Sequence, residues 1–327
     1  MKYLLTIIYI LVLPGCTNNS LISKNNIYSN KEIDVSNVDL DTETRKDNTS
    51  INSKQVEDIQ ALPDLPSGKL AENNSLDNLY SFSASFLGEK IIEESGDITE
   101  SLDPDWSVSS GAYVFFKNGI GTTIQGELSE DDRWYKIYRN TNFEDTDGGQ
   151  HPQNIFRLVL LKKFLNLSQE NYFRIRDDHL SKSQYRNGSN GLLFFNRYQS
   201  SQTLYYTGLR VDGGVTIKKK KNGVYYTLKT KNIFPGVYDR EYNPNLLTKN
   251  IWIGLKSEVV DRVDGGVDIK VYLDINKTGE WELICEAIDD GKSFGGEVLS
   301  EAGLAGIRTD FMDVEFDNYK IKELKLK

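Results

Sequence analysis

Val215-Thr-Ile-Lys-Lys-Lys-Lys-Asn-Gly-Val-Tyr-Tyr-Thr-Leu-Lys-Thr-Lys231 is the stretch on which the reading of the fold turns. Asn222-Gly223 is the dipeptide of a type I′ turn, whose backbone twist matches that of two antiparallel strands. A two-residue loop sets the register, so Ile217 is expected opposite Leu228, Lys219 opposite Tyr226 and Lys221 opposite Val224. Side chains alternate between faces along a strand. Thr216, Lys218 and Lys220 then lie across from Lys229, Thr227 and Tyr225 on a wholly polar second face. Such a face is either solvated exterior or a binding surface.

Outward from this hairpin the chain repeats the same grammar. Ala112-Tyr-Val-Phe-Phe, Gly121-Thr-Thr-Ile-Gln-Gly, Arg133-Trp-Tyr-Lys-Ile-Tyr, Asn154-Ile-Phe-Arg-Leu-Val-Leu-Leu, Tyr172-Phe-Arg-Ile, Gly191-Leu-Leu-Phe-Phe-Asn-Arg-Tyr and Leu204-Tyr-Tyr-Thr-Gly-Leu-Arg-Val are short β-rich runs between Gly, Asn and Asp turns. Strands at this spacing predict an all-β sandwich. Val159 to Leu167 also suits a turn or two of helix, because a short apolar run does not distinguish the two. Arg210-Val-Asp-Gly-Gly-Val-Thr-Ile-Lys218 recurs as Arg262-Val-Asp-Gly-Gly-Val-Asp-Ile-Lys270. Each copy is a Gly-Gly turn feeding a strand. A pair of copies is too few for a solenoid or propeller, and the plain reading is one turn-strand device used twice.

The amino terminus is of another kind. Lys2 is followed by the apolar run Tyr3 to Leu13 and then Pro14-Gly15-Cys16. A charge, a short apolar run and a small residue make a secretory signal, too short for the roughly 20 residues that span a bilayer. Leu13-Pro14-Gly15-Cys16 resembles the lipobox of bacterial lipoproteins. That resemblance implies cleavage after residue 15, acylation of Cys16 and a membrane-anchored protein of the cell envelope. With Thr17 in place of Asp it implies the outer membrane in a Gram-negative cell. From Thr17 to about Ser75 the chain is rich in Asn, Ser, Asp, Lys and Glu and nearly devoid of aromatics. Such a stretch buries too little apolar surface to offset its ordering entropy and is read as a disordered tether. The expected organisation is signal peptide 1–15, lipidated Cys and linker 16–75, and one β-sandwich domain 76–327. With Cys16 acylated, Cys285 has no disulfide partner, so the core alone stabilises the domain and Cys285 is expected as a buried inert thiol. The net charge of −9 excludes nucleic acid as a partner, which needs a basic footprint.

Four segments together resemble a laminin-G-like jelly roll of the concanavalin A-like lectin/glucanase superfamily. They are Gly208-Leu-Arg-Val-Asp-Gly-Gly-Val-Thr-Ile-Lys-Lys, Trp252-Ile-Gly-Leu-Lys, Val267-Asp-Ile-Lys-Val-Tyr-Leu-Asp and Gly306-Ile-Arg-Thr-Asp-Phe-Met-Asp-Val-Glu-Phe-Asp-Asn-Tyr-Lys-Ile. The resemblance covers roughly residues 95 to 327. It implies a two-sheet antiparallel jelly-roll sandwich, a glycan on the concave face of one sheet, and a structural calcium ion. The superfamily holds lectins, binding modules, glycoside hydrolases and polysaccharide lyases. Asp317 begins Asp-Asn-Tyr-Lys-Ile, which is similar to the C-terminal strand whose Asp binds that calcium. Asp145-Thr-Asp147-Gly148-Gly149 is an oxygen-rich turn of the type calcium prefers. Asp274-Ile-Asn276-Lys-Thr278-Gly279 mimics the first half of a calcium loop, but Cys285 stands where the loop needs Glu.

Three sets of residues are candidates for chemistry. Asp313-Val-Glu-Phe-Asp317 places three carboxylates on one strand face, and retaining glycosidases need two carboxyl groups about 5 Å apart. The order differs from the Glu-Asp-Glu of such enzymes, and the plain reading is a polar face with Val314 and Phe316 in the core. His151-Pro-Gln153-Asn-Ile-Phe-Arg157, read as a strand, puts His151, Gln153 and Arg157 on one face. Those are the residue types a polysaccharide lyase uses to take a proton and neutralise a carboxylate. His179 is expected in solvent. Sugars stack on aromatic rings and bond to polar tips, which nominates Arg197, Tyr198, Tyr205, Arg210, Tyr225 and Lys229. The Lys218 to Lys221 run is a basic patch suited to an anionic glycan or to guarding a sheet edge. The favoured function is non-catalytic carbohydrate binding. A lyase or hydrolase, and a structural or adhesive envelope protein, are the alternatives.

Overall fold

The computed structural model describes residues 79–326. The signal peptide, Cys16 and the tether to residue 75 lie outside the described residues. The β-rich runs become sixteen strands in two stacked antiparallel sheets, the predicted jelly-roll sandwich.

One sheet has nine strands: β1 (Ser81–Ala84), β2 (Glu89–Glu93), β4 (Tyr113–Lys117), β5 (Ile120–Thr122), β7 (Leu167–Asp178), β12 (Ile253–Asp261), β13 (Val267–Ile275), β14 (Glu282–Asp289) and β16 (Met312–Glu323). Their order is β14-β13-β12-β7-β16-β5-β4-β2, with β1 also paired to β16. The other has seven strands: β3 (Trp106–Ser110), β6 (Ile155–Phe164), β8 (Gly191–Ser200), β9 (Thr203–Arg210), β10 (Gly214–Lys221), β11 (Val224–Asn232) and β15 (Gly303–Asp310). Their order is β11-β10-β9-β8-β15-β6-β3.

Alternation sends every second side chain between the sheets. Phe156 on β6 stacks on Phe316 of β16 at 5.6 Å, Phe194 on β8 meets Phe173 of β7 at 5.8 Å, and Trp106 on β3 meets Tyr319 of β16 at 4.9 Å. Each such side chain contributes about 1.5–3 kcal/mol through burial. A polar network crosses this interior. Gln169 donates to Asn196 Oδ1, Ser257 donates to the same oxygen, Asn196 donates to Thr207, and Tyr319 donates to Gln169. Its members satisfy one another, as buried polar groups must. Cys285 is the free, buried thiol expected, and burial pushes its pKa up.

Two expectations are corrected, for residues 133–138 and for the partner of Ile217, and two readings left open are decided. Residues 133–138 are not a strand but begin the helix α1 (Arg133–Thr141). Asp132 caps it by accepting from Trp134 N at 2.6 Å, and Trp134 and Tyr138, four residues apart, bury one face against Ala112, Ile124 and Ile155. Between Val159 and Leu167 the chain is strand, β6 leading to β7, with no helical turn. In the β10–β11 hairpin, Asn222 and Gly223 take the positive φ of a type I′ turn, +51° and +84°. Lys218 to Lys221 pair as expected, but the register slips at Leu228, so Ile217 lies opposite Lys229. Finally, Thr216, Lys218 and Lys220 are not solvated: each is buried.

The repeated segment is one device used twice, once in each sheet. It joins β9 to β10 and β12 to β13. Gly213 and Gly265 adopt φ of +84° and +85°, and their N–H groups donate to the carbonyls of Arg210 and Arg262. Asp212 and Asp264 accept from Gly214 N and Gly266 N and pair with Arg210 and Arg262 at 2.6 and 2.8 Å.

Candidate functional site

The outer face of the nine-stranded sheet carries a strip of aromatic rings interleaved with charge. Leu255 of β12, Phe173 of β7 and Leu273 of β13 face the core, so their neighbours Gly254, Lys256, Tyr172, Arg174, Tyr272 and Asp274 face outward. The register sets Gly254 opposite both Tyr172 and Asp274, and Lys256 opposite both Tyr272 and Glu170. Trp252 and Trp281, two of the chain's four tryptophans, arrive from the segments just before β12 and β14. Both are half-buried. Gly254 makes the strip possible. A Cβ there would stand 2.8 Å from the Tyr172 ring and 2.9 Å from that of Trp281. Without it the two rings settle on the sheet, 5.5 Å apart at 40°.

Cations sit on these rings. The Arg174 guanidinium lies 4.4 Å from the Trp252 centroid. Lys277 lies 5.3 Å from both Tyr172 and Trp252. Lys256 lies 4.6 Å from Tyr272 and 5.6 Å from Trp281. Ring quadrupoles attract cations at these distances. The Asp313-Glu315-Asp317 triplet of β16 borders the strip, with Val314 and Phe316 in the core as predicted. Every carboxylate of the triplet is engaged: Asp313 by His179 at 2.9 Å, Glu315 by Arg174, and Asp317 by Lys277.

The hydroxyls are held protonated. Burial, then Glu258, pushes the Tyr272 phenol up to about 12, and its OH donates to Glu258 at 3.0 Å. Burial and Asp274 raise the Tyr172 phenol further, and it donates to Asp274 at 2.7 Å. Burial of Asp274 raises its pKa, but donors on Thr278, Tyr172 and Gly279 outweigh that and hold it below the usual carboxylate range. The strip therefore combines flat apolar faces, neutral hydroxyls, ionised carboxylates and cations. Tyr172 and Asp274 are buried beneath the strip, and the half-buried Trp252, Trp281, Tyr272, Arg174 and Lys256 can stack on a pyranose ring and exchange hydrogen bonds with its hydroxyls.

The nominated binding residues lie elsewhere. Arg197 and Tyr205 are fully buried and serve the fold. Arg197 donates to Leu165 O and Leu299 O and pairs with Asp261 at 2.8 Å. Tyr205 donates to Asp289 at 2.6 Å from the sandwich interior, where burial raises its pKa. Tyr198 and Tyr225 belong to an aromatic cluster with Phe195 and Tyr206 on the outer face of the seven-stranded sheet. Arg210 is committed to Asp212 in the repeated turn, and Lys229 is exposed on the edge strand β11. The lysine run divides: Lys219 points inward to Asp289 at 2.9 Å and Lys221 reaches Glu297 at 3.3 Å, while Lys220 lies 4.6 Å from the Tyr225 ring and Lys218 lines a cavity with Tyr225 and Arg308.

His151, Gln153 and Arg157 do not share a face. Pro152–Asn154 form a 3-10 turn, so the strand starts only at Ile155. Gln153 is wholly buried and donates to Asp313 at 2.9 Å and to Gly126 O at 2.8 Å. Arg157 extends from β6 in the other sheet. His179 is buried rather than solvated, with its ring 4.2 Å from that of His151. It bonds to Asn154 at 2.6 Å, while His151 bonds to Asp147 at 3.1 Å.

At the three metal candidates the carboxylates bond to donors of the protein itself. Asp145 accepts from Ser183 at 2.6 Å, Asp147 from His151 and from Asn154 at 3.0 Å, and Asp317 is held by Lys277. These carboxylates are occupied by nitrogen and hydroxyl donors. Asp274 likewise organises its own loop through Thr278 and Gly279. Among the described residues no group of three or more His, Cys, Asp and Glu could hold a metal ion.

No family model matches this chain, and no curated protein matches it. Solved structures do. A carbohydrate binding module from Bacillus subtilis, CBM66, is 17% identical with a TM-score of 0.36, over 52% of this chain and 83% of its own. A Bacillus subtilis protein of unknown function with a galectin-like fold is 11% identical with a TM-score of 0.40, over 75% of this chain and 96% of its own. The exoplasmic/lumenal domain of VIP36 in its Ca2+-bound form is 10% identical with a TM-score of 0.36, over 72% of this chain and 90% of its own.

Proposed function

We propose that the protein binds carbohydrate on the outer face of the nine-stranded sheet. The observation that carries this reading is the strip in which Tyr172 and Trp281 lie over Gly254 and Lys277 bridges Tyr172 to Trp252. Two half-buried tryptophans on one outer sheet face make a cluster of apolar surface of the kind that marks a ligand site. Glu315 and Asp317 are engaged by Arg174 and Lys277 and Asp313 by His179, which favours binding over acid/base chemistry. The resemblance of residues 13–16 to a lipobox supports the further reading that Cys16 anchors the domain to a bacterial envelope membrane.

The test is retention of the full chain by a panel of immobilised neutral and acidic polysaccharides, with polymer size followed over time. We expect retention without shortening. Trp281→Ala removes a ring worth about 1.5–3 kcal/mol when covered, so affinity should fall by about tenfold to a hundredfold. Shortening of any polymer would replace binding by catalysis, and absence of retention on the whole panel would leave a protein ligand as the better reading. Loss of membrane partition in Cys16→Ser checks the anchor.

A further inference from the structure

We infer that this face selects sugars bearing a carboxylate and that Lys256 is the residue that selects them, an inference that rests on the glycan reading above. Four other cations on or beside the strip are neutralised by the protein itself. Arg174 is paired with Glu315 and Lys277 with Asp317. Lys320 is paired with Glu170 at 3.1 Å, and Lys270 with Glu286 at 3.6 Å. Lys256 differs from all of these. Among the described residues no carboxylate lies within salt-bridge distance of its ammonium and no acceptor takes its protons; its contacts are the rings of Tyr272 and Trp281.

Those rings hold the ammonium in place without neutralising it. An ammonium has three donors and no acceptor, and here all three are available to a ligand. The carboxylates nearest in register do not compete. Glu170, opposite Lys256 on β7, is held by Lys320, and Glu258, two residues along β12, accepts from Tyr272. Lys256 shares the Trp281 ring with the strip, so a sugar stacked there lies beside its ammonium. A charge-assisted bond to a sugar carboxylate completes the site.

The test uses polygalacturonate and its fully methyl-esterified form, which differ only in whether the carboxylates are masked. The full chain should bind polygalacturonate about tenfold more tightly than the ester, the worth of one charged hydrogen bond. Lys256→Gln should abolish that preference, while Lys256→Arg keeps it. Trp281→Ala should weaken binding to both polymers. Equal affinity for the two polymers, or a preference that survives Lys256→Gln, overturns the inference while leaving the glycan reading intact. Binding untouched by Trp281→Ala instead overturns the glycan reading at this face. Binding of neither polymer overturns the carboxylate assignment, and retention by neutral polysaccharides then decides the glycan reading alone.

Discussion

Replacing Lys219 by Met tests the physics of the sandwich interior. Lys219 and Asp289 are both fully buried, and their side chains meet at 2.9 Å. Lys219 also donates to Gly296 O at 2.9 Å. Asp289 takes two further bonds, from Tyr205 OH at 2.6 Å and Gly291 N at 3.1 Å. Methionine keeps the stem but removes the countercharge, leaving a buried carboxylate with two donors. Removing one partner of a buried pair costs about 3–5 kcal/mol. In a domain of about 250 residues each kcal/mol moves the melting temperature by about 2–4 °C, so a fall of about 6–20 °C is expected. The assay is thermal and urea unfolding of the full chain at neutral pH, followed by circular dichroism. The double variant Lys219→Met, Asp289→Leu removes both charges and should recover most of the loss, because well-packed apolar replacements of a buried pair are often neutral. A single-variant loss below about 1 kcal/mol, or a double-variant loss equal to the sum of the singles, would refute the reasoning.

Three other outcomes are expected. Burial raises the Glu94 carboxyl above its ordinary value, outweighing the lowering by Tyr138, the Ala112 N–H and Arg157. The folded state therefore holds that proton more tightly than the unfolded state does, and the ionised form costs stability above the ordinary carboxylate range. Glu94→Gln should stabilise the protein at pH 7, with the gain fading as pH falls into that range; a gain that grows on acidification would contradict this. Asp132→Ala removes the cap of α1 and should cost about 1 kcal/mol by urea titration, whereas Asp132→Asn, which keeps an accepting oxygen, should cost much less. A chelator should leave the melting temperature unchanged, since the carboxylates of Asp145, Asp147 and Asp317 are engaged by protein donors; a fall reversed by added calcium would show a site that these contacts do not reveal.

Much of the fold is local and therefore legible. Asn222-Gly223 dictates its turn because its backbone preference belongs to those two residues. The two Arg-Val-Asp-Gly-Gly segments dictate theirs because the Asp and Arg that brace each glycine lie within the same few residues. The alternation in Asp313-Val-Glu-Phe-Asp317 correctly placed Val314 and Phe316 inside. Arg133-Trp-Tyr-Lys-Ile-Tyr was misread because its aromatics suit a strand as well as a helix; Asp132 just before it was the available signal.

The site was largely illegible, for reasons of the same kind. Alternation shows that a strand has two faces, but not which of them meets the opposite sheet. Tyr205, Lys219 and Arg197 thus look like surface candidates in the sequence, yet they are buried because Asp289, Leu299 and Asp261 come to them from distant segments. Tyr172, Trp252 and Trp281 could be counted in the sequence but not assembled. Only the pairing of β7, β12 and β13 gathers them on one face around Gly254, and only the rest of that sheet takes up the charges around Lys256. By itself the sequence determined strands, turns and the sandwich, because those follow from residues within a few positions of each other. The tertiary structure alone decided which polar and aromatic side chains became core, ion pair or open surface, because burial and charge compensation depend on partners that pairing across the sheets supplies.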